Sequence, residues 1–409
     1  MRVLVLFGYV LVAAPLAWCA WCALAPRRFP PRQGYLRWAF SFVVSDVPSI
    51  AFYVLIAATA SVVTAGPLDS PIAWLALGVS IGTAAALGVI LGRQRGARTA
   101  VSDALTVGLG EGWQDALDAD AARALRRPRL WWLVALLPMR VRRRDVVRIP
   151  DIAYGDAGIR NTLDVYRHRS RPVCGPVLIH LHGGSLRRGR KNRQGLPLIY
   201  DLAASGWLCI SANYRLQPAV TFPEHLIDVK KVIAWARAEG EQYGADPAIV
   251  FVAGGSSGAQ LAALAALTAN DPAYQRGFED ADTSVAGAIA LYGYYGPVSI
   301  QRADAHRAGS LPVSHLRADA PPFFVAHGDR DTLTSALEAT HFAASLRRVS
   351  ASPVVYAELA GAQHGFDTFR SMRSDAVVRA VKVFASWVLT TTTNRDACPR
   401  ADAPGPDAG

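Results

Sequence analysis

A serine framed by glycines lies between a predicted strand and a predicted helix. The apolar run Ile249–Ala253 leads into residues 254–258, which read G-G-S-S-G, and an alanine- and leucine-rich helical pattern follows. Glycines on both sides permit the sharp turn that lifts a serine hydroxyl clear of a sheet and aims the next backbone N–H at the reacting oxygen. The sequence therefore predicts Ser256 as a nucleophile and the Ser257 N–H as a donor to the developing oxyanion.

A serine hydroxyl is a weak nucleophile unless a base lies beside it. Among the nine histidines of the chain, His364 follows the apolar run Val354–Leu359. It therefore falls at the carboxyl end of a predicted strand, where open α/β sheets assemble their sites. We predict His364 as the general base.

The acid that orients this base is expected between the serine and the histidine in the chain. Asp329 and Asp331 both follow the run Phe323–Ala326. We favour Asp331, which lies three residues beyond Gly328, and Asp329 is the alternative. The order serine, aspartate, histidine excludes the chymotrypsin and subtilisin orders.

The predicted chemistry also needs donors for a developing oxyanion. The run Val177–Leu181 is followed by His182, Gly183 and Gly184. Because glycines have no side chain, the N–H groups of Gly183 and Gly184 can approach the oxyanion, and one such donor is worth roughly 10²–10³ in rate. We expect His182 to support this loop without transferring a proton.

The elements that must hold these residues form an alternating pattern from about residue 145 to 390. Short apolar β-rich runs alternate with helical stretches, which predicts a largely parallel sheet with helices on both faces. The tail 391–409 is rich in Thr, Pro, Asp, Ala and Gly, and we predict that it is disordered. Further predicted strands are Leu208–Asn213 and Val285–Leu291, and predicted helices are Pro197–Ala204, Glu224–Glu239, Gly258–Leu267, Ser335–Leu346 and Asp375–Val388.

Several short motifs add to the glycine-serine turn and the His182 loop. They are Tyr154-Gly155, Leu163-Asp164-Val165-Tyr166, Asn213-Tyr214-Arg215-Leu216, Phe222-Pro223, Asp228-Val229-Lys230, Tyr292-Gly293 and His364-Gly365-Phe366. With them the sequence resembles the hormone-sensitive-lipase-like carboxylesterases, specifically the membrane-anchored Lip-type esterases of actinobacteria. The resemblance implies an α/β-hydrolase fold. Two residues depart from the family pattern. The family usually has alanine at the position of Ser257, and many members have glycine at the position of Ser185.

The first 98 residues contain three long uncharged runs. Each is long enough for a helix to cross the bilayer, which takes about 20 apolar residues. We predict a helical transmembrane region with about three spans, at about residues 3–25, 47–66 and 71–92. The second span can extend back through Trp38–Val44 if Asp46 is tolerated.

The placement of charge predicts the orientation of these spans. The chain of 409 residues has a formal net charge of +11, and residues 1–150 carry 17 basic and 8 acidic residues. Arginines follow the first and third spans, which predicts an external N-terminus and a cytoplasmic C-terminal domain in the cell membrane. Alternatively, residues 1–25 form a cleaved signal peptide, which would turn that domain outward.

Residues 99–144 are predicted as an amphipathic and basic juxtamembrane linker. The segment Leu130–Pro138 is too short to span but has paired tryptophans, and nine arginines lie between Arg123 and Arg148. This composition favours contact with membrane lipids. No base-reading or aromatic-stacking motif accompanies the charge, so we expect no nucleic-acid partner.

These features together predict a membrane-anchored serine carboxylesterase or lipase that needs no metal or organic cofactor. Five cysteines exclude a disulfide scaffold, and Cys19 and Cys22 lie in an apolar run without further ligands. One alternative is an oligopeptidase-like serine peptidase, although the chain has no room for a large propeller before residue 145. Another is a catalytically silent α/β-hydrolase module on a membrane anchor.

Overall fold

The computed structural model describes residues 2–25, 31–65, 70–117, 119–126, 141–170, 175–296 and 309–392. The predicted interfacial segment Leu130–Pro138 lies outside the described residues. So does all but the start of the predicted tail 391–409, because the last described helix ends at Thr392.

An eight-stranded sheet forms the C-terminal part of the chain. Its spatial order is β1-β2-β4-β3-β5-β6-β7-β8, and every neighbouring pair is parallel except the two pairs that β2 makes. The mostly parallel sheet with flanking helices that the sequence predicts is therefore confirmed. The strands are β1 Val146–Ala153, β2 Thr162–His168, β3 Gly175–Leu181, β4 Leu208–Ala212, β5 Ala245–Gly255, β6 Gly287–Leu291, β7 Phe323–Gly328 and β8 Val354–Leu359.

Helices cover both faces of this sheet, as strands buried on two sides require. Residues 250–253 of β5, at the centre, are fully buried, and separate apolar clusters pack on the two faces. The loops that follow β3, β5, β7 and β8 meet at one edge, because these strands run parallel. The helices of this part are α7 Leu196–Ala204, α8 Glu224–Glu239, α9 Ser257–Leu267, α10 Ala336–Val349 and α11 Met372–Thr392.

The N-terminal part is helical. Among the described residues, two continuous helical stretches are long and apolar enough to cross a membrane, Arg2–Leu24 and Pro71–Leu109, and a third is possible if a bent pair counts as one span. The hydroxyl of Tyr9 donates to Ser80 Oγ at 2.6 Å, which joins the first helix to the fourth. The helices are α1 Arg2–Leu24, α2 Pro31–Asp46, α3 Pro48–Ala65, α4 Pro71–Arg95, α5 Ala97–Leu109 and α6 Ala119–Arg126.

The predicted linker begins with a helix that is packed against the C-terminal sheet. Val101, Ala104 and Leu105 of α5 are buried in the same apolar cluster as strand β8. At Gly108 a Cβ atom would lie 2.7 Å from the Val355 side chain, so only glycine allows this approach. Because α5 contributes to the core, the chain between the apolar helices and the sheet is not simply a surface linker in its described part.

Helix α2 departs from the predicted extension of the second span. Instead of continuing into α3, it meets that helix at 85°. Asp46 at the bend is fully buried, and its Oδ1 accepts from Arg373 Nη1 of α11 at 3.1 Å. Gln94 Nε2 donates to the Asp46 carbonyl at 2.9 Å. Asp46, the acidic residue within the predicted extension of the second span, is therefore paired with an arginine of the C-terminal half.

We expect Asp46→Ala to lower the free energy of unfolding by about 3–5 kcal/mol, because it removes the carboxylate partner of the buried Arg373 guanidinium. Asp145→Ala is the matched control, since Asp145 pairs with Arg143 on the exposed surface at 2.7 Å. That change should cost less than about 1 kcal/mol. Unfolding in detergent measures both, and equal losses would contradict this account of Asp46.

Candidate active site

Ser256 occupies a strained turn between β5 and α9. Its backbone has φ 57° and ψ −123°, a conformation that side-chain-bearing residues rarely adopt. The neighbouring strand stabilises the turn, since the Ser256 N–H donates to the Leu291 carbonyl of β6 at 3.0 Å. A Cβ atom at Gly258 would overlap the Leu181 carbonyl, so this glycine is needed for the close approach of helix and strand.

The structure brings Ser256, His364 and Asp331 together in that order. The Nε2 atom of His364 lies 2.9 Å from Ser256 Oγ, and its Nδ1 lies 2.6 Å from Asp331 Oδ2. The imidazole is nearly buried, and the Tyr292 ring packs edge-on against it at 4.9 Å between centroids. Both ring nitrogens therefore have a partner, as a base between a nucleophile and an orienting acid requires.

Asp331 is held in place by the loop that follows β7. Its Oδ1 accepts the N–H groups of Leu333 and Thr334, each at 2.8 Å. Burial alone would raise its pKa, but the imidazoles of His364 and His327 outweigh this and hold the pKa of Asp331 well below its usual range. The carboxylate is therefore ionised at neutral pH.

Asp329, the alternative acid, has a different partner. Its Oδ1 accepts the Gly361 N–H at 2.7 Å, which ties the β7 loop to the β8 loop. Burial raises the pKa of Asp329. Of the two candidates that the sequence leaves open, Asp331 is the one that contacts His364 in this structure.

The glycine loop after β3 differs in one respect from the expectation. Gly183 lies directly against Ser256, since its Cβ would be 2.9 Å from Ser256 Cβ. Its N–H, however, donates to Gln194 Oε1 at 2.6 Å and so is already satisfied. The Ser257 N–H lies in the first turn of α9, where backbone donors have no intrahelical acceptor. Gly184 N–H has no hydrogen-bond acceptor within the described part of the chain.

His182 begins this loop, and its ring makes no hydrogen bond to Ser256. Its ring stacks on Tyr214 at 4.4 Å, and Tyr214 donates from its hydroxyl to the His182 carbonyl at 2.6 Å. Burial lowers the pKa of His182 to about 4, so the ring is neutral at pH 7. This is the environment of a residue that supports the loop.

Sequence reasoning missed three polar residues around the candidate triad. Thr334 Oγ1 donates to Asp331 Oδ2 at 2.9 Å, and His327 Nε2 lies 3.3 Å from the same oxygen. Gln363 Oε1 accepts the N–H of His364 at 2.9 Å. Each lies within four residues of Asp331 or His364 in the sequence, but only the folded loops show what it contacts. Among the described residues, no group of three or more His, Cys, Asp or Glu side chains could hold a metal ion.

Comparison with known proteins finds one matching family model and relatives that are named as ester hydrolases or esterases. A family model described as BD-FAE matches residues 163–310. LipM of Mycobacterium tuberculosis, named a probable carboxylic ester hydrolase, is 42% identical over 62% of this chain and 65% of its own length. Esterase LipC of the same organism is 38% identical over 61% of this chain and 67% of its own length. Esterase 2 of Thermogutta terrifontis overlaps 53% of this chain and 85% of its own with 20% identity and a TM-score of 0.47.

The sheet order, the strained serine between β5 and α9 and the loops at the same edge define an α/β-hydrolase fold. Within this class, the chain belongs to the hormone-sensitive-lipase-like carboxylesterase family, as the sequence resemblance predicts. The chain spans just under two thirds of the length of LipM.

The strained backbone of Ser256 leads to a prediction about stability, which can be tested without an activity assay. Because glycine adopts positive φ without penalty, Ser256→Gly should be about 1 kcal/mol more stable than Ser256→Ala. Ser350 is the control, since it has an ordinary extended backbone with φ −78° and ψ 138°. There the alanine variant should be at least as stable as the glycine variant. If unfolding gave the same order of stability for the glycine and alanine variants at both sites, this result would contradict the strain at Ser256.

Proposed function

We propose that this protein is a membrane-anchored serine carboxylesterase or lipase. Ser256 Oγ attacks the carbonyl carbon of a carboxylic ester while His364 Nε2 takes its proton. The tetrahedral intermediate collapses, His364 returns the proton to the leaving alcohol, and water then hydrolyses the acyl-enzyme by the same route. The observation that carries the proposal is the unbroken path of hydrogen bonds from Ser256 through His364 to Asp331, in a chain of this family.

Asp331 stabilises the imidazolium that forms during each proton transfer. Its pKa is held low, so it stays charged through the reaction and does not take the proton itself. Two backbone N–H groups and the Thr334 hydroxyl fix its orientation. His364 is thereby kept in the tautomer that presents an acceptor nitrogen to Ser256.

The N–H groups of Gly184 and Ser257 are the proposed oxyanion donors. Gly183 was the third expected donor, and it can contribute only if Gln194 releases its N–H. Because the Gln194 side chain accepts the Gly183 N–H, it fixes the loop that also carries Gly184. Two of the three expected donors then remain. Two donors suffice for this chemistry, since each one is worth roughly 10²–10³ in rate.

The apolar helices are the proposed anchor, with the N-terminus outside and the catalytic half in the cytoplasm. Large apolar side chains of α1 and α4 are exposed to the surroundings, among them Phe7, Trp74 and Leu75. Retention of α1 is supported by Arg37, which donates to the carbonyls of Cys22 and Ala25 at its carboxyl end. Cleavage of residues 1–25 would remove these partners.

We expect Ser256→Ala to abolish ester hydrolysis, because loss of a triad serine costs roughly 10⁶ in kcat. A fluorophosphonate probe should label the wild type and not this variant. Hydrolysis of p-nitrophenyl esters of rising chain length measures the rate and separates esterase from lipase. More than a few per cent residual activity would exclude Ser256 as the nucleophile.

Matched aspartate variants test the acid. Asp331→Asn should lower kcat by roughly 10⁴, because the neutral side chain favours the wrong imidazole tautomer. Asp329→Asn should change kcat less than about tenfold, since the partners of Asp329 are the Gly361 N–H and Arg330, not His364. The reverse order of the two losses would make Asp329 the catalytic acid.

The orientation has its own test. Protease added to intact cells should leave the C-terminal half uncut, whereas inverted membrane vesicles should expose it to cleavage. The positive-inside arrangement of the arginines is the physical reason. Cleavage in intact cells would place the catalytic half outside.

A further inference from the structure

Helix α2 contacts both loops that carry the proposed acid and base. The indole Nε1 of Trp38 donates to the backbone carbonyl of His364 at 2.9 Å. One turn earlier, the Gly34 carbonyl accepts from Thr332 Oγ1 at 2.9 Å, next to Asp331. A helix that precedes the sheet by a hundred residues therefore touches the loop of each catalytic partner.

Gln363 joins these contacts into one network. Its Oε1 accepts the N–H groups of His364 and Thr332, each at 2.9 Å, so one amide bridges the two catalytic loops. Its Nε2 donates to Ser41 Oγ of α2 at 3.0 Å, and both side chains are buried. The position of the bridging amide is thus set from α2.

The spacing of residues on α2 gives the helix two different faces. Gly34, Trp38, Ser41 and Ser45 lie at intervals of four, three and four residues, which places them on one face of a helix. This face turns toward the catalytic loops, and Arg373 donates to the carbonyls of both Ser45 and Ala360 at 3.2 Å. On the opposite face, large apolar side chains are exposed at Leu36, Phe40 and Val43.

We propose that α2 is a positioning element for the reaction, acting through Trp38 and Ser41 on the loop that carries His364. This inference rests on the proposed function. Neither residue contacts Ser256; their role is to fix the backbone from which the imidazole extends. Because small displacements of a catalytic group cost up to roughly 10² in rate, loosening α2 should lower kcat and leave substrate binding nearly unchanged.

The test is Trp38→Phe, which removes the indole N–H and keeps an aromatic ring, together with Ser41→Ala. Each variant should lower kcat for a p-nitrophenyl ester by about 5–50-fold, with KM within about twofold of wild type. The second-order rate of Ser256 labelling by a fluorophosphonate should fall in parallel. Trp18→Phe in α1, whose ring is half exposed and stacks only on Trp21 among the described rings, is the control and should leave kcat unchanged.

The outcomes separate the two proposals. A wild type that neither hydrolyses esters nor reacts with the probe would overturn the proposed function. An active wild type with unchanged kcat in Trp38→Phe and Ser41→Ala, or with a rise in KM alone, would overturn the role of α2. If Trp38→Phe does not fold, as judged by its unfolding transition in detergent, the kcat and KM of Ser41→Ala decide by the same criterion.

Discussion

The backbone of Ser256 is the constraint on which the rest of the structure depends. A residue at φ 57° is stable only where its surroundings over-determine it. Here β5 supplies a strand buried on both faces, α9 begins at the next residue, and glycines allow the two to meet. The carbonyl of Leu291 in β6 accepts the Ser256 N–H and completes the turn. The serine hydroxyl is therefore presented at the end of a fully buried strand segment.

Around this fixed point, buried polar side chains make hydrogen bonds that tie the loops together. Asp331 has two N–H donors, a hydroxyl and an imidazole, while Gln363 bridges two loops and a distant helix. Each bond contributes only about 1 kcal/mol net, yet leaving such a group unpaired costs more. The arrangement of the loops is therefore specific, because alternative arrangements would strand buried donors and acceptors.

The sequence predicts much of this arrangement because the signals are local. A glycine-serine turn after an apolar run identified Ser256, and chain order selected the loops of Asp331 and His364, which the structure places within hydrogen-bond distance. The mostly parallel sheet with flanking helices and the family are confirmed. Strands β1 and β2 were not predicted, since β1 is half exposed and lacks an apolar run.

Two features could not be predicted because they depend on contacts between distant segments. Nothing near Gly183 indicates that the Gln194 amide occupies its N–H. Likewise, the apolar composition of Trp38–Val44 is equally suited to a helix in a bilayer and to a helix that packs against another part of the protein. Only the packed chain shows that Asp46, at the bend between α2 and α3, pairs with Arg373 more than three hundred residues away.

The packing of α5 against β8 also determines where this protein can be cut. A fragment that begins at residue 145 would contain every residue of the proposed triad and the whole sheet. It would also uncover Val355 and the apolar surface that Val101, Ala104 and Leu105 now bury, and it would lack α2. Such a fragment would expose a contiguous apolar patch of the kind that drives aggregation. A shortened form should therefore keep α2 and α5 together with the sheet.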